Sequence, residues 1–358
     1  MSRKPRIVLA WAGESDPRSM IAGLAQEYRA DIVTLTMDVG QPRDLDELRD
    51  RALAGGAIRA HVLDVREELA LRYVLPALQA GALYGGRYPM TSSLARPVVA
   101  AKLVEIARIE SAAAVAHGAR GVGNDLLPLD RSIRALDPGL RILTPARSVP
   151  APASVPYRID ENLWGRSVEA TVLDDPWREP PDEIYTLTRS ASKAPDIPAY
   201  VEIAFERGVP QAINGVPMSF TEIIESLTTI AGTHGVGRMD TIEQRQAGIV
   251  SREICEAPAA VVLHAAHREL ETLVLACDLE RLKRELSLKY ADLVYNGLWF
   301  TPMREALDAF TRTVQEQVTG TVRLRLLKGC CDVVGRRAST GESSVSAAAD
   351  DELRVPSS

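Results

Sequence analysis

Two short segments carry the residue types that handle phosphate and amino-acid groups. The first is Ala12-Gly13-Glu14-Ser15-Asp16-Pro17-Arg18-Ser19, a glycine-containing turn between an apolar strand pattern at residues 6–11 and a helical pattern. A strand, a tight turn and a helix N-terminus present free backbone N–H groups and the positive end of a helix dipole to an anion. Gly13, Ser15, Asp16 and Arg18 are therefore candidates for a phosphate grip. Two neighbours oppose it: Glu14 puts a carboxylate where the anion would sit, and Pro17 has no N–H to donate. Asp16 also suits an N-cap and Pro17 the first helical position, so the helix is preserved whatever the turn binds. The second segment is His117-Gly118-Ala119-Arg120-Gly121-Val122-Gly123-Asn124-Asp125. Asp125 suits an α-ammonium. Arg120 suits a carboxylate or phosphate, or is a surface arginine filling a vacated space.

The elements around these segments alternate. Strand patterns at 6–11, 31–37, 58–63, 113–116 and 141–144 are separated by helical patterns at 17–29, 44–54, 67–79 and 96–109. That order predicts a doubly wound parallel sheet with ligands beyond the carboxyl ends of its strands, where the turns at 12–19, 38–41 and 117–125 would meet. A Pro/Ala/Ser-rich stretch from Thr144 to Tyr157 separates a second, α+β domain. Its strands are read at 200–205 and 322–326, and its helices at 219–231, 259–277 and 302–318. The expected domains are 1–145 and 157–337, followed by a disordered Ser/Ala/Asp-rich tail at 338–358.

Composition bounds the partners. A net charge of −6 on 358 residues, with both signs interspersed, gives no reason to expect nucleic acid or an anionic membrane. No apolar run approaches a membrane span and no signal-peptide pattern opens the chain, so a cytoplasmic protein is expected. Cys255, Cys277, Cys330 and Cys331 form no C-x-x-C, and His264 and His267 lack a third ligand; no metal site is expected and both histidines are read as structural.

Several longer stretches resemble argininosuccinate synthase. They include Gly40-Gln41, Ser93-Leu94-Ala95-Arg96-Pro97, Ala116-His117-Gly118 with Gly121, Gly123, Asn124 and Asp125, Asp160-Glu161-Asn162-Leu163-Trp164-Gly165-Arg166-Ser167, Asp175-Pro176-Trp177, His234-Gly235-Val236-Gly237-Arg238 and Val294-Tyr295-Asn296-Gly297-Leu298-Trp299. The resemblance spans roughly residues 5–337. It implies an N-type ATP pyrophosphatase (adenine nucleotide alpha hydrolase-like) domain, a synthetase domain and a tetrameric habit; the low-complexity tail in place of the family's C-terminal arm makes a dimer as much to be expected, so the chain is read as a homo-oligomer, dimer or tetramer. The implied nucleotide contacts are Ala10, Gly13, Ser15, Asp16, Arg18, Met37, His117, Gly118, Gly121 and Gly123. The implied amino-acid contacts are Tyr88, Ser92, Ser93, Arg120, Asn124, Asp125, Arg158, Ser167 and Glu243, with Asp16, Asn124 and Asp125 as the catalytic set. Glu243 has a rival reading as an ion-pair partner of Arg245 or Arg252. Trp164, Trp177 and Trp299 are read as packing residues.

The chain departs from the family where chemistry happens. The family's Ser-Gly-Gly-x-Asp-Thr-Ser loop is replaced at 12–18. Its citrulline-carboxylate arginine is Pro128, an aspartate-binding threonine is Arg120, a serine is Arg158 and a tyrosine is Cys255. Each lost hydrogen bond to a charged group is worth about 1.5–3 kcal/mol. These losses lead to the expectation of an ATP-dependent, AMP-forming C–N ligase acting on amino-acid-like substrates other than citrulline and aspartate. A pseudoenzyme acting as a binding subunit is the alternative, and a genuine argininosuccinate synthase stands third. ATP with Mg2+ is expected if the chain is active, and no cofactor if it is the binding subunit.

Overall fold

The computed structural model describes residues 4–13, 17–118, 126–145, 157–173, 175–244 and 250–339. The tail from residue 340, and the stretch at 146–156 that joins the two domains, lie outside the described residues. Five parallel strands form the first sheet: β1 (Arg6–Ala10), β2 (Asp31–Asp38), β3 (Arg59–Asp64), β4 (Ala114–His117) and β5 (Arg141–Leu143), in the order β3-β2-β1-β4-β5. The order reverses at β1, so the carboxyl ends of β1, β2 and β4 open onto one crevice, as the alternation predicts.

Apolar strands are covered on both faces. Helices α1 (Pro17–Tyr28) and α2 (Leu45–Ala54) close one side, where Ile7, Leu9, Ile21, Leu24, Ile32 and Leu48 pack together. On the other side Val8, Val33, Leu35, Leu103, Val104, Val115 and Ile133 form a separate core. Its helices are α5 (Thr91–Ile109) and α6 (Leu126–Leu136). The helical pattern at 67–79 becomes α3 (Arg66–Leu69), a wider π turn at Ala70–Val74, and α4 (Leu75–Gln79). Pro76 cannot donate to the preceding turn, which leaves a carbonyl there free to take the wider register.

Helix α5 starts at Thr91, five residues before its expected start, and runs through Pro97. Tertiary contacts extend it. Asn162 Nδ2 donates to the Thr91 carbonyl at 2.8 Å, and the hydroxyls of Ser92 and Ser167 lie 2.9 Å apart. The first turn of α5 is thus held by the second domain.

That domain has two antiparallel sheets. One carries β6 (Arg158–Asn162), β7 (Gly165–Glu169), β11 (Arg238–Gln244) and β12 (Val250–Glu256), in the order β11-β12-β7-β6. The other carries β8 (Ala199–Glu206), β9 (Val209–Ile213), β10 (Val216–Pro217), β13 (Gly320–Leu327) and β14 (Cys330–Ala338), in the order β10-β9-β8-β13-β14. Helices α7 (Phe220–Thr233), α8 (Pro258–Val274), α9 (Cys277–Tyr295) and α10 (Pro302–Gln315) complete it. His267 is buried, with Nε2 2.8 Å from Gln315 Oε1. Burial, with the neighbouring His267 and the positive charges of Lys283 and Arg268, pushes His264 down to about 3. His264 stands edge-on to Trp164, with ring centroids 6.1 Å apart. Trp164 and Trp299 are buried, but Trp177 is 95% exposed and corrects its reading as a packing residue. Arg252 donates to the carbonyls of Asp175 and Arg178, so the turn is held to β12 while its tryptophan projects outward.

At the amino-terminal edge of the parallel sheet, Glu110 is 1% exposed and collects three partners. Arg6 Nη1 lies at 2.8 Å, Arg59 Nη1 at 2.6 Å and His61 Nε2 at 2.9 Å. Burial pushes the carboxyl up, but the hydrogen bonds from His61 and Arg59 and the charges of Arg59 and Arg6 outweigh it, and the group sits below the usual glutamate range. A folded-state value below the unfolded one stabilises the protein above the unfolded pKa of about 4.3, and the contribution is lost as pH falls through the folded value. Glu110→Gln should therefore lower stability by about 2–3 kcal/mol at pH 7. The gap from wild type should close on acidification, and urea unfolding at pH 7 and pH 3 reads both.

Candidate functional site

The crevice beyond β1, β2 and β4 is roofed by the β6 end of the four-stranded sheet. The contact between the two domains is direct: the Leu163 N–H donates to the Val39 carbonyl at 2.7 Å. Between them lies a cleft of about 480 Å³, within the range of small-molecule sites. Its inner wall is largely apolar, with Ala10, Leu35, Met37, Val39, Val99 and Leu129. Its polar groups come from separate elements: Gln41 and Arg43 after β2, Ser92 and Arg96 on α5, His117 on β4, and Arg158, Asp160 and Glu161 on β6.

Of the residues expected from the sequence, Ala10, Met37, Ser92, His117, Gly118 and Arg158 line this cleft. Ser167 stands behind Ser92 through the hydroxyl contact, and Ser93 accepts from Arg96 Nη1 at 3.2 Å. Tyr88 reaches the same region from the α5 side, its hydroxyl 3.2 Å from Thr91 Oγ1 and 3.5 Å from Glu253 Oε1. Gly13 belongs to the β1–α1 turn but faces α2, since a Cβ there would lie 2.3 Å from Leu48 Cδ2. Ser15, Asp16, Arg120, Gly121, Gly123, Asn124 and Asp125 lie outside the described residues, as do the side chains of Arg18 and Glu243. Glu243 is placed by its backbone on β11, paired with Ser251. Arg252, its suggested ion-pair partner, is instead bonded to Asp240 at 2.6 Å. Pro128 is buried in α6.

Register explains why the roof points inward. Asp160 pairs with Ser167, which pairs with Cys255, and Arg158 pairs with Glu169, two residues further on. Residues two apart on a strand share a face, so Arg158, Asp160, Ser167, Glu169, Glu253 and Cys255 belong to one side of the sheet. The opposite side packs Val168 and Ile254 against Leu173 and Ile184. Sequence reading missed Asp160, Glu161, Gln41, Arg43 and Arg96 as cleft residues. The i, i+2 spacing of Arg158 and Asp160 was the available signal on β6.

Two of the cleft's buried side chains carry a polar atom without a partner among the described residues. His117 is 2% exposed and holds Asp130 Oδ1 at 2.9 Å through Nε2, leaving Nδ1 unpaired. Trp11 is 4% exposed and its Nε1 is also unpaired. Both line the cleft. Burial raises the Glu161 carboxyl, while the charges of Arg166 and Arg43 act against that rise. No helix among the described residues is long and apolar enough to cross a membrane.

The two halves match two family models, "Arginosuccinate synthase N-terminal HUP domain" over residues 6–160 and "Arginosuccinate synthase C-terminal domain" over residues 157–352. Among curated proteins, "Argininosuccinate synthase" of Geobacillus sp. (strain WCH70) is 45% identical over 352 residues, covering 93% of this chain and 87% of that protein. The protein of the same name from Dictyoglomus thermophilum is 46% identical, covering 94% and 88%. That from Symbiobacterium thermophilum is 47% identical, covering 93% and 88%. Likeness on this scale overturns the expectation of a different substrate pair, and equally that of a pseudoenzyme. The departures that prompted them are confined to one turn and a few single positions, whereas the likeness runs through both domains. The cleft also gathers guanidinium groups from three separate elements, those of Arg43, Arg96 and Arg158.

Proposed function

Since the chain belongs to the argininosuccinate synthase family, we propose that it joins citrulline to aspartate at the expense of ATP, releasing AMP and pyrophosphate. The observation that carries this reading is the 45–47% identity to proteins of that name across both domains that wall the cleft. In the first step the citrulline ureido oxygen bonds to the α-phosphorus, the bond to the bridging oxygen breaks and pyrophosphate leaves. In the second the aspartate amine bonds to the ureido carbon, the carbon–oxygen bond breaks, and AMP leaves as the amine gives up a proton.

Neither step needs a side-chain nucleophile. The protein's part is to hold three substrates in line and to stabilise charge on the phosphates. The apolar wall of Ala10, Leu35, Met37 and Val99 suits a purine face, and the unpaired His117 Nδ1 offers a buried acceptor beside it. The hydroxyls of Ser92 and Ser167 and the charges of Arg96, Arg158 and Asp160 suit the zwitterionic ends of amino acids. Mg2+ would enter with ATP as part of that substrate.

Incubation with ATP–Mg2+, citrulline and aspartate should yield argininosuccinate, AMP and pyrophosphate in equal amounts by mass spectrometry. Omitting any one substrate should abolish argininosuccinate. Saturating substrates without argininosuccinate would overturn the reading.

A further inference from the structure

We propose that Arg43 is the guanidinium that grips the phosphates of the nucleotide in this cleft, a role that rests on the ligase reading above. Arg43 lies beyond the carboxyl end of β2, past a turn that is tightly fixed. Gln41 Nε2 donates to the Met37 carbonyl at 2.7 Å, Gln41 Oε1 accepts from the Val39 N–H at 2.8 Å, and the Gly40 N–H donates to Asp38 Oδ1 at 2.9 Å. From this platform Arg43 Nη1 donates to the carbonyl of Ala12, which is already in the turn between β1 and α1. The side chain lines the cleft together with Trp11, Ala12 and His117.

The turn it touches lacks what an anion needs. Pro17 is the first residue of α1 and has no N–H, so this helix end offers one donor fewer than usual. In the sequence, Glu14 and Asp16 bring two carboxylates close behind Ala12. A guanidinium supplies both missing quantities, a full positive charge and a planar fork of N–H donors that matches phosphate oxygens. The other two guanidinium groups of the cleft are held against other elements: Arg96 donates to Ser93 Oγ at 3.2 Å on its own helix, and Arg158 pairs with Glu169 at 3.6 Å on the roof sheet. Arg43 is bonded to the phosphate turn itself. The sequence separates it from Ala12 by 31 positions, and only the parallel pairing of β1 with β2 brings the two together.

The test uses the full chain as wild type, Arg43→Ala and Arg43→Lys. Each is titrated with α,β-methylene-ATP and with adenosine, and each is assayed for turnover. The alanine variant should bind the ATP analogue about 10–100-fold more weakly, with adenosine binding changed by no more than about twofold. Its KM for ATP should rise in step while the KM values for citrulline and aspartate hold. The lysine variant keeps the charge without the fork and should fall between. Unchanged analogue affinity in Arg43→Ala would overturn the proposal. Equal losses for the analogue and adenosine would also overturn it, because Arg43 would then act only by holding Ala12. A wild type that binds the analogue but makes no argininosuccinate would remove the ligase reading and leave the titration to decide Arg43.

Discussion

Replacing Glu256 with alanine should cost about 3–5 kcal/mol, because five hydrogen bonds converge on one buried carboxylate. Glu256 is 1% exposed at the end of β12. It accepts from the backbone N–H groups of Thr186 at 2.9 Å, Leu187 at 3.1 Å and Thr188 at 2.8 Å. The Thr188 hydroxyl at 2.6 Å and Arg166 Nη1 at 3.2 Å complete the set. Alanine would leave three backbone donors without an acceptor, and Arg166, itself 5% exposed, with Glu161 as its remaining ion-pair partner at 3.3 Å. Arg166→Met is the contrast. It breaks the ion pairs with Glu256 and Glu161 and frees the Ile184 carbonyl, at about 3–5 kcal/mol overall, but leaves the three backbone amides their acceptor, so their protection should hold relative to the rest of the domain. Hydrogen exchange at the Thr186, Leu187 and Thr188 amides reads the effect locally, where a global unfolding midpoint blends two domains. If those amides stay protected in Glu256→Ala, the carboxylate is not what holds this segment to the sheet.

The parallel domain was legible because its strands are apolar runs bounded by turns, and buried parallel strands read that way. Ala10, Met37 and His117, named through the family resemblance, stand at or next to those strand ends and line the cleft. The roof was not legible. Strand β6, Arg-Ile-Asp-Glu-Asn, is short and polar, and only its pairing with β7 shows that it walls a cleft. Helix α9 escaped notice for a different reason. Only Leu275 and Ala276 separate it from α8, both in extended backbone, with no Gly or Pro to mark the break. The altered phosphate turn led furthest astray on function. Taken by itself, the turn shows only the donors it lacks. The cleft instead draws Arg43, Arg96 and Arg158 from three elements far apart in sequence, and no local pattern adds those together.

Gly297→Ala should lower kcat/KM by about 100-fold or more in whatever fraction folds, and should destabilise by about 3–4 kcal/mol. Gly297 closes α9 in a left-handed conformation at φ +70°. Its N–H donates to Val294 O at 3.0 Å, and that of Leu298 donates to Leu293 O at 2.8 Å, the paired bonds of a Schellman cap. An alanine there carries two separate penalties. One is conformational, about 1 kcal/mol for a side chain at positive φ. The other is steric: a Cβ would lie 2.3 Å from both the Cα and the carbonyl oxygen of Pro128, so backbone must move. Pro128 belongs to the first turn of α6, which is also tied to this cap by Ser132 Oγ to Gly297 O at 3.3 Å and Arg131 Nη1 to Asn296 O at 3.0 Å. A displaced α6 would carry Asp130 away from His117 and Leu129 out of the cleft wall. Gly215→Ala separates the penalties. It has φ +79° on a turn where a Cβ would meet nothing within 4 Å, so it should cost only the conformational part and leave turnover intact. If the two variants prove equally active, the contact between α6 and the α9 cap does not position the site. If Gly297→Ala alone loses activity, Pro128 serves this protein as a packing surface that sets α6.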